Sequence, residues 1–181
     1  MGETEPMPVM VALLRGVNVG GRSRLPMADL RAVSEGLGHR GVRTYVQSGN
    51  LVFSTGDRST DRVAAQLEAA IAATCDVQPA VVVRTAAQLG SVIDADPFVG
   101  RGEDPGSVHV TFFPGRAPSP GDVTGFAPEE VEAIGGELHL HLPDGIGRSR
   151  LAAHLARRAP EGTTRSWRTV ATLHGMASEQ P

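Results

Sequence analysis

Short apolar runs in this chain alternate with segments in which apolar residues recur every three or four positions. Runs of the first kind are typical of buried strands, and segments of the second kind are typical of amphipathic helices. In the first half, strands are predicted at 8–15, 42–47, 51–54 and 80–84, with one helix beginning at Pro26 and another capped by Ser59 or Thr60. The resulting order, β-α-β-β-α-β, predicts a ferredoxin-like split β-α-β unit.

The second half has a similar pattern without repeating the sequence. It is predicted to contain a helix at 86–94, a strand at 108–113, a hairpin turning at Gly135-Gly136, a helix at 149–158 and a final helix capped by Thr163 or Thr164. We therefore predict an α+β protein with two ferredoxin-like subdomains, residues 8–84 and 85–177. Their mixed or antiparallel sheets are expected to carry helices packed on them.

The absence of lysine excludes several kinds of chemistry, since all 17 basic residues are arginine. Walker-type nucleotide hydrolases need a lysine on the phosphates, and pyridoxal-phosphate enzymes and Schiff-base aldolases need a lysine amine. The single cysteine, Cys75, excludes an internal disulfide and a CxxC zinc or redox site. We predict no cofactor and, without recognisable ligand spacing, no metal site.

Charge and hydropathy limit the partners that are expected. No apolar stretch approaches the roughly 18 residues of a membrane span, and the acidic N-terminal segment does not resemble a secretory signal. A cytoplasmic protein without a membrane partner is therefore expected. The formal net charge of −3 disfavours a nucleic-acid partner without excluding one, and the oligomeric state stays open.

Three segments combine glycine, a small hydroxyl residue and arginine at the boundary of a predicted element. Free backbone N–H groups at a helix start favour an anion, glycines let the backbone approach it, and arginine adds a bidentate donor. Any one segment is also explained by ordinary loop and cap chemistry, but three together favour an anion site. The residues predicted to contribute are Arg15, Asn18, Gly20, Gly21, Gly147, Arg148, Ser149, Arg165, Trp167 and Arg168.

A polar turn at 47–50 adds Gln47, Ser48 and Asn50 to the candidate ligand-binding residues. Ser48 lacks a G-x-S-x-G elbow, so a turn-capping serine is favoured over a nucleophile. His139 and His141 alternate along one predicted strand and share a face, where half-exposed histidines are favoured over metal ligands.

Six strings occur in an order that is typical of a known family: ALLRGVNVGGRSRLPMADLRAV, VRTYVQSGNLVF, VVVRT, DPF, LHLPDGIGRSRL and TTRSWRTVATL. Over about residues 8–175 the chain resembles the bacterial family catalogued as domain of unknown function 1697. The resemblance implies two ferredoxin-like subdomains and no established activity. The chain departs from the family at Ser166, where asparagine is usual, and at Arg150, where lysine is frequent. Ser166 offers only part of the hydrogen bonding of asparagine, whereas Arg150 keeps the charge.

These features favour a protein that binds a small anionic or phosphorylated ligand, nucleotide-like, in a cleft between the subdomains. One wall would hold Arg15, Asn18, Gly20 and Gly21, and the other Gly147, Arg148, Ser149, Arg165 and Arg168. One alternative is a single-stranded nucleic-acid-binding module, although the strands lack the aromatic pairs of an RRM. Another is a hydrolase or transferase that uses Ser48 or a histidine. Whether the protein is an enzyme stays open.

Overall fold

The computed structural model of the protein describes residues 6–180. Within this range, residues 6–88 together with 173–180 form one compact unit, and Leu89–Thr172 form a second. Each unit contains one four-stranded sheet. The subdomain limits predicted from the sequence, 8–84 and 85–177, stay a prediction.

The first unit has the predicted β-α-β-β-α-β order. Its elements are β1 (Val9–Leu14), α1 (Met27–Gly36), β2 (Arg40–Tyr45), β3 (Asn50–Ser54), α2 (Thr60–Thr74) and β4 (Val81–Thr85). The sheet order is β2-β3-β1-β4, and every neighbouring pair is antiparallel. This order fits a ferredoxin-like subdomain, in which the two helices cover one face of the sheet.

The core of the first unit forms where the helices meet β1 and β3. Alternate residues of β1 belong to this core because successive side chains of a strand point to opposite faces. The buried cluster combines Met10, Ala12 and Leu14 of β1 with Leu30 of α1 and an apolar stripe on α2. The stripe of α2 consists of Val63, Leu67 and Ile71, which are fully buried.

The second unit contains a sheet with the equivalent strand order. The remaining elements of the chain are α3 (Ala86–Asp94), α4 (Pro97–Gly100), β5 (Val108–Phe112), β6 (Glu130–Ile134), β7 (Glu137–His141), α5 (Arg150–Arg158), β8 (Thr163–Ser166) and α6 (Trp167–Ser178). The sheet order is β6-β7-β5-β8, again antiparallel throughout. The α+β class with two such sheets and helices packed on them is confirmed, and both strand orders fit ferredoxin-like subdomains.

The predicted helix start at Thr163 or Thr164 is wrong. These threonines belong to β8, which pairs with β5 through Thr111↔Thr164 and Phe112↔Thr163. The helix that follows begins at Trp167, and the Ser166 hydroxyl accepts a hydrogen bond from the Thr169 N–H at 3.2 Å. Threonine suits a strand as well as a helix cap, and pairing with a distant strand decides between them here.

None of the helices between residues 6 and 180 is both long and apolar enough to cross a bilayer.

Candidate anion-binding site

A loop of residues 15–25, named the arginine loop below, connects β1 to α1. It contains a small hairpin in which Val19 pairs with Arg22. The two residues at its tip, Gly20 and Gly21, have φ angles of 60° and 73°. A two-residue type I′ turn requires positive φ at both positions, which glycine adopts without strain. The tip therefore exposes backbone to solvent in a defined conformation.

Asn18 fixes this loop through its side chain. Its amide donates to the carbonyl oxygens of Leu25, at 2.9 Å, and Gln47, at 2.7 Å. Its side-chain oxygen accepts from the Leu25 N–H at 2.9 Å. The backbone of Asn18 has a φ of 56°, which asparagine tolerates better than most residues. Asn18 thus closes the arginine loop on itself and joins it to the turn before β3.

The turn that receives Asn18 is held by Asn50. The buried Asn50 amide donates to the Tyr45 carbonyl and to the Ser48 hydroxyl, both at 3.0 Å. The Gly49 carbonyl accepts from the Leu14 N–H at 2.9 Å. Ser48 is therefore engaged within the turn, and Gln47 contributes a main-chain carbonyl to Asn18.

The arginine loop and this turn lie at the same end of the first sheet. The end of β1 adjoins the start of β3, because the two strands are antiparallel with Leu13 opposite Asn50. The structure thus brings together seven of the predicted residues, all from the first unit. They are Arg15, Asn18, Gly20, Gly21, Gln47, Ser48 and Asn50.

Three arginines of the loop face solvent. Arg15, Arg22 and Arg24 are exposed, and none forms an ion pair within residues 6–180. The sequence has no acidic residue between Arg15 and Ala28, nor in the turn segment 44–50. Arg22 and Arg24 lie in the segment that the sequence singled out, although only Arg15 was selected there as a ligand-binding arginine.

The second unit also collects its predicted residues at one end of its sheet. β7 and β8 both end beside the start of β5, with His141 opposite Val108 and Ser166 opposite His109. The loop that leaves β7 contains Gly147 and the exposed Arg148 in a short 3-10 turn. The next residue, Ser149, is engaged in capping α5.

The polar groups of this second cluster differ in accessibility. The Ser149 hydroxyl accepts from the Ala152 N–H at 2.8 Å. Arg165 is half-buried in β8 and donates to the Thr163 hydroxyl at 2.9 Å, and burial lowers the pKa of its guanidinium to about 10. Arg168 is exposed, 3.8 Å from an Asp104 carboxylate oxygen. The Trp167 indole nitrogen is buried and has no hydrogen-bond partner within the described chain.

A buried aspartate–histidine pair in the second unit was not identified from the sequence. His139 and Asp96 are each 1% exposed, and His139 Nδ1 lies 2.7 Å from Asp96 Oδ2. The other Asp96 oxygen caps α4 by accepting from the N–H groups of Phe98 and Val99. Burial raises the pKa of Asp96, but the hydrogen bond from His139, the two backbone N–H groups and the charge of His139 hold it below its ordinary value.

The expectation of half-exposed histidines on β7 is therefore wrong. His139 and His141 are both buried, because α4 and the segment after it cover their face of the sheet. His141 stacks on the Phe98 ring at 5.7 Å and lies 3.4 Å from Glu103 and 3.6 Å from Glu130. No group of histidine, cysteine or acidic side chains in the described part of the chain is arranged to hold a metal ion.

Known proteins resemble this chain in sequence and in fold. A sequence model for the family described as "Protein of unknown function (DUF1697)" matches residues 7–138. A conserved bacterial protein from Streptococcus pneumoniae has a similar structure, with a TM-score of 0.76 and 19% sequence identity over 94% of this chain and 99% of that chain. At this identity the likeness shows a shared fold alone. No curated protein matches the chain. The chain belongs to the DUF1697 family, whose function is unknown.

Proposed function

We propose that the protein binds a small phosphorylated, nucleotide-like ligand and that the arginine loop supplies its phosphate contacts. The observation that carries this proposal is the combination of three exposed arginines, Arg15, Arg22 and Arg24, on a loop that Asn18 holds in place. The proposal concerns binding and assigns no reaction.

The chemistry of the loop suits a phosphate. A guanidinium group can donate two parallel hydrogen bonds to phosphate oxygens, and it stays charged at every physiological pH. Gly20 and Gly21 carry no side chains, and their positive φ angles form the turn that presents this bare backbone at the hairpin tip. Because Asn18 already orders the loop, a ligand need not order it on binding, which lowers the entropic cost.

The arginines of the loop differ from those that are already paired with a carboxylate. Arg101 pairs with Glu130 and Glu103, and Arg62 lies 3.4 Å from Asp57. In those positions a carboxylate already offsets the arginine charge. The loop arginines have no such partner among the described residues. Exposed arginines without an ion pair occur elsewhere, as at Arg116, but here three lie on one ordered loop, which favours an external anion as their partner.

The second unit offers further candidates for anion contact. Arg148 is exposed and forms no ion pair within residues 6–180. Arg165 and Arg168 already contact neighbouring groups, Thr163 and Asp104 respectively. Arg148 is therefore the position in this unit at which substitution best tests a contribution to binding.

The two alternative functions receive less support. Proteins that bind single-stranded nucleic acid stack bases on aromatic side chains. The exposed large apolar residues in the described chain are all aliphatic: Val19, Leu37, Val46 and Ile146. A hydrolase or transferase that uses Ser48 would need a general base beside that hydroxyl, whereas the hydroxyl accepts a hydrogen bond from the Asn50 amide, which is not a base.

Calorimetric titration and thermal shift with pyrophosphate, sugar phosphates and nucleotides test the proposal. We expect at least one of these anions to raise the melting temperature, and Arg22→Ala to weaken its binding about tenfold, the loss expected for one charged hydrogen bond. Arg116→Ala removes an exposed arginine outside the loop and is the matched control. Arg148→Ala tests the second unit in the same assay.

The outcome that would contradict the proposal is clear. If no phosphorylated compound changes the melting temperature, or if Arg15→Ala and Arg22→Ala bind as the wild type does, the arginine loop is not a phosphate site. Salt-dependent binding of a labelled single-stranded oligonucleotide, in the absence of nucleotide binding, would instead favour the nucleic-acid module.

A further inference from the structure

Two exposed valines lie beside the arginines at this end of the first sheet. Val19 is 65% exposed and Val46 is 52% exposed. They adjoin Asn18 and Gln47, the two residues that the 2.7 Å hydrogen bond joins. Single exposed apolar residues are ordinary, but these two occupy connected segments beside three exposed arginines that form no ion pair within residues 6–180. The site therefore has an apolar component as well as a cationic one.

Val46 also has a strained backbone conformation. Val46 has a φ of 51°, a left-handed conformation in which the branched Cβ crowds its own carbonyl oxygen. Asparagine or glycine adopts this conformation with less strain. The exposed Val46 side chain is therefore unfavourable for the fold, and strained residues of this kind cluster at ligand sites.

We infer that Val19 and Val46 form an apolar platform for the base of a nucleoside phosphate, while the arginine loop holds the phosphates. This inference rests on the proposed function, and it adds to the phosphate contacts the two residues that would hold the base. A ligand with phosphate groups alone would use the arginines and leave both valines exposed to water. A nucleoside carries a planar base whose apolar faces pack against aliphatic side chains, and burial of that surface adds to binding.

The experiment compares ligands that share a diphosphate group. The adenosine, guanosine, cytidine and uridine diphosphates are titrated calorimetrically against the full chain, alongside pyrophosphate. We expect at least one nucleoside diphosphate to bind about tenfold tighter than pyrophosphate, as burial of one valine-sized apolar surface predicts. Equal affinity of all five compounds would overturn the inference and leave the proposed function intact.

Substitutions separate the role of the valine side chain from stability. Val46→Asn is expected to reduce the affinity for the preferred nucleoside diphosphate about tenfold, leave that for pyrophosphate unchanged, and keep or raise the melting temperature. Val19→Thr, with a nearly identical shape, is expected to shift affinity in the same direction. Leu37→Asn changes another exposed apolar residue at the far end of α1 and is the matched control.

Three other results would overturn the inference. If Val46→Asn binds the nucleoside diphosphate as tightly as the wild type, the platform is wrong. If neither pyrophosphate nor any nucleoside diphosphate binds, the proposed function fails and this inference fails with it. If the protein instead binds vesicles of anionic phospholipid, with the binding lost in Val46→Asn, the valines contact a lipid surface and the nucleoside assignment is overturned.

Discussion

The side-chain amide of Asn18 donates a hydrogen bond of 2.7 Å to the carbonyl oxygen of Gln47, 29 positions later in the chain. The same amide group also holds Leu25 through one donated and one accepted hydrogen bond. One side chain thus links the first part of the arginine loop to its last residue, Leu25, and to the turn before β3. It holds the backbone segment that carries Arg22 and Arg24, and it uses its polar groups within the protein.

Asn18→Ala is expected to lower the free energy of unfolding by about 3 kcal/mol. Three hydrogen bonds contribute about 1 kcal/mol each, and an alanine at this positive φ adds a backbone cost. Asn18→Gly removes the same hydrogen bonds without that cost and is expected to lie between the wild type and Asn18→Ala. Urea denaturation measures all three proteins, and equal stability of Asn18→Ala and the wild type would contradict this role.

Gly49 lies where no side chain fits. A Cβ atom at this position would stand 2.6 Å from Val17 Cγ2 and 2.7 Å from Leu14 Cβ, and the φ angle is 74°. Gly49→Ala is therefore expected to cost about 3 kcal/mol, from overpacking and from the left-handed backbone together.

A second glycine in the same unit provides the control. A Cβ at Gly36, the last residue of α1, would meet nothing within 4 Å. Gly36→Ala is expected to raise the free energy of unfolding by about 0.5–1 kcal/mol, since it restricts the unfolded chain without a clash. Thermal unfolding followed by circular dichroism distinguishes the two variants, and an equal effect of both would show that the turn tolerates a side chain.

The fold of the first unit was accessible from the sequence because its local signals agree. Apolar periodicity marks α2, and Ser59 caps it by accepting from the Arg62 N–H at 3.2 Å. β8 was missed because its four residues, Thr163–Ser166, carry no apolar run. Its identity as a strand depends on β5, which lies more than 50 positions away.

Part of the candidate site could be predicted from local sequence signals alone. Glycines and arginines in loops are visible in sequence, so the segments around Arg15 and Arg148 were identified. Two features were not visible. The Asn18 side chain makes three hydrogen bonds within the protein, and His139 pairs with Asp96, 43 positions away. Asp96 before Pro97 is a helix-cap signal, but no local pattern indicates its histidine partner.

Two histidines are expected to make the free energy of unfolding depend on pH. His39 stacks on the Phe53 ring at 4.2 Å, and its Nδ1 is hydrogen-bonded to the Ser34 hydroxyl at 2.9 Å. Burial lowers the pKa of His39, and burial likewise lowers the pKa of His109 against the opposing effect of a hydrogen bond with the Ser107 backbone. The folded protein therefore favours the neutral form of both rings.

The lowered pKa values of His39 and His109 predict that the protein is less stable in acid. As the pH falls below 6.5, the ordinary pKa of histidine, these side chains become protonated in the unfolded chain while they stay neutral in the folded protein. Proton binding then stabilises the unfolded state. The free energy of unfolding is expected to fall as the pH is lowered from 7.5 to 5.5, and to fall less steeply in His39→Gln. Urea denaturation at four pH values measures this. A slope that is unchanged in both His39→Gln and His109→Gln would show that these rings do not cause it.

The Asp96–His139 pair is expected to be the most costly contact in the second unit to break. Asp96→Ala removes two hydrogen bonds that cap α4 and leaves the buried His139 Nδ1 without its partner. Together these losses are expected to lower the free energy of unfolding by about 3–4 kcal/mol.

A double-mutant cycle isolates the pair itself. His139→Phe removes the ring nitrogens while it keeps an aromatic side chain, so the buried carboxylate of Asp96 loses its partner in that variant. Asp96→Ala combined with His139→Phe leaves neither polar group unsatisfied, and the two losses are expected to overlap by about 1–3 kcal/mol. Losses that simply add would mean that Asp96 stabilises the protein only by capping α4.

The pH dependence of stability is a second readout for Asp96, because the folded protein holds the pKa of this carboxyl below its ordinary value of 3.8. The ionised carboxylate therefore stabilises the fold above pH 3.8, and this stabilisation is lost as the pH falls through the folded-state pKa. Asp96→Ala should not show that loss in acid.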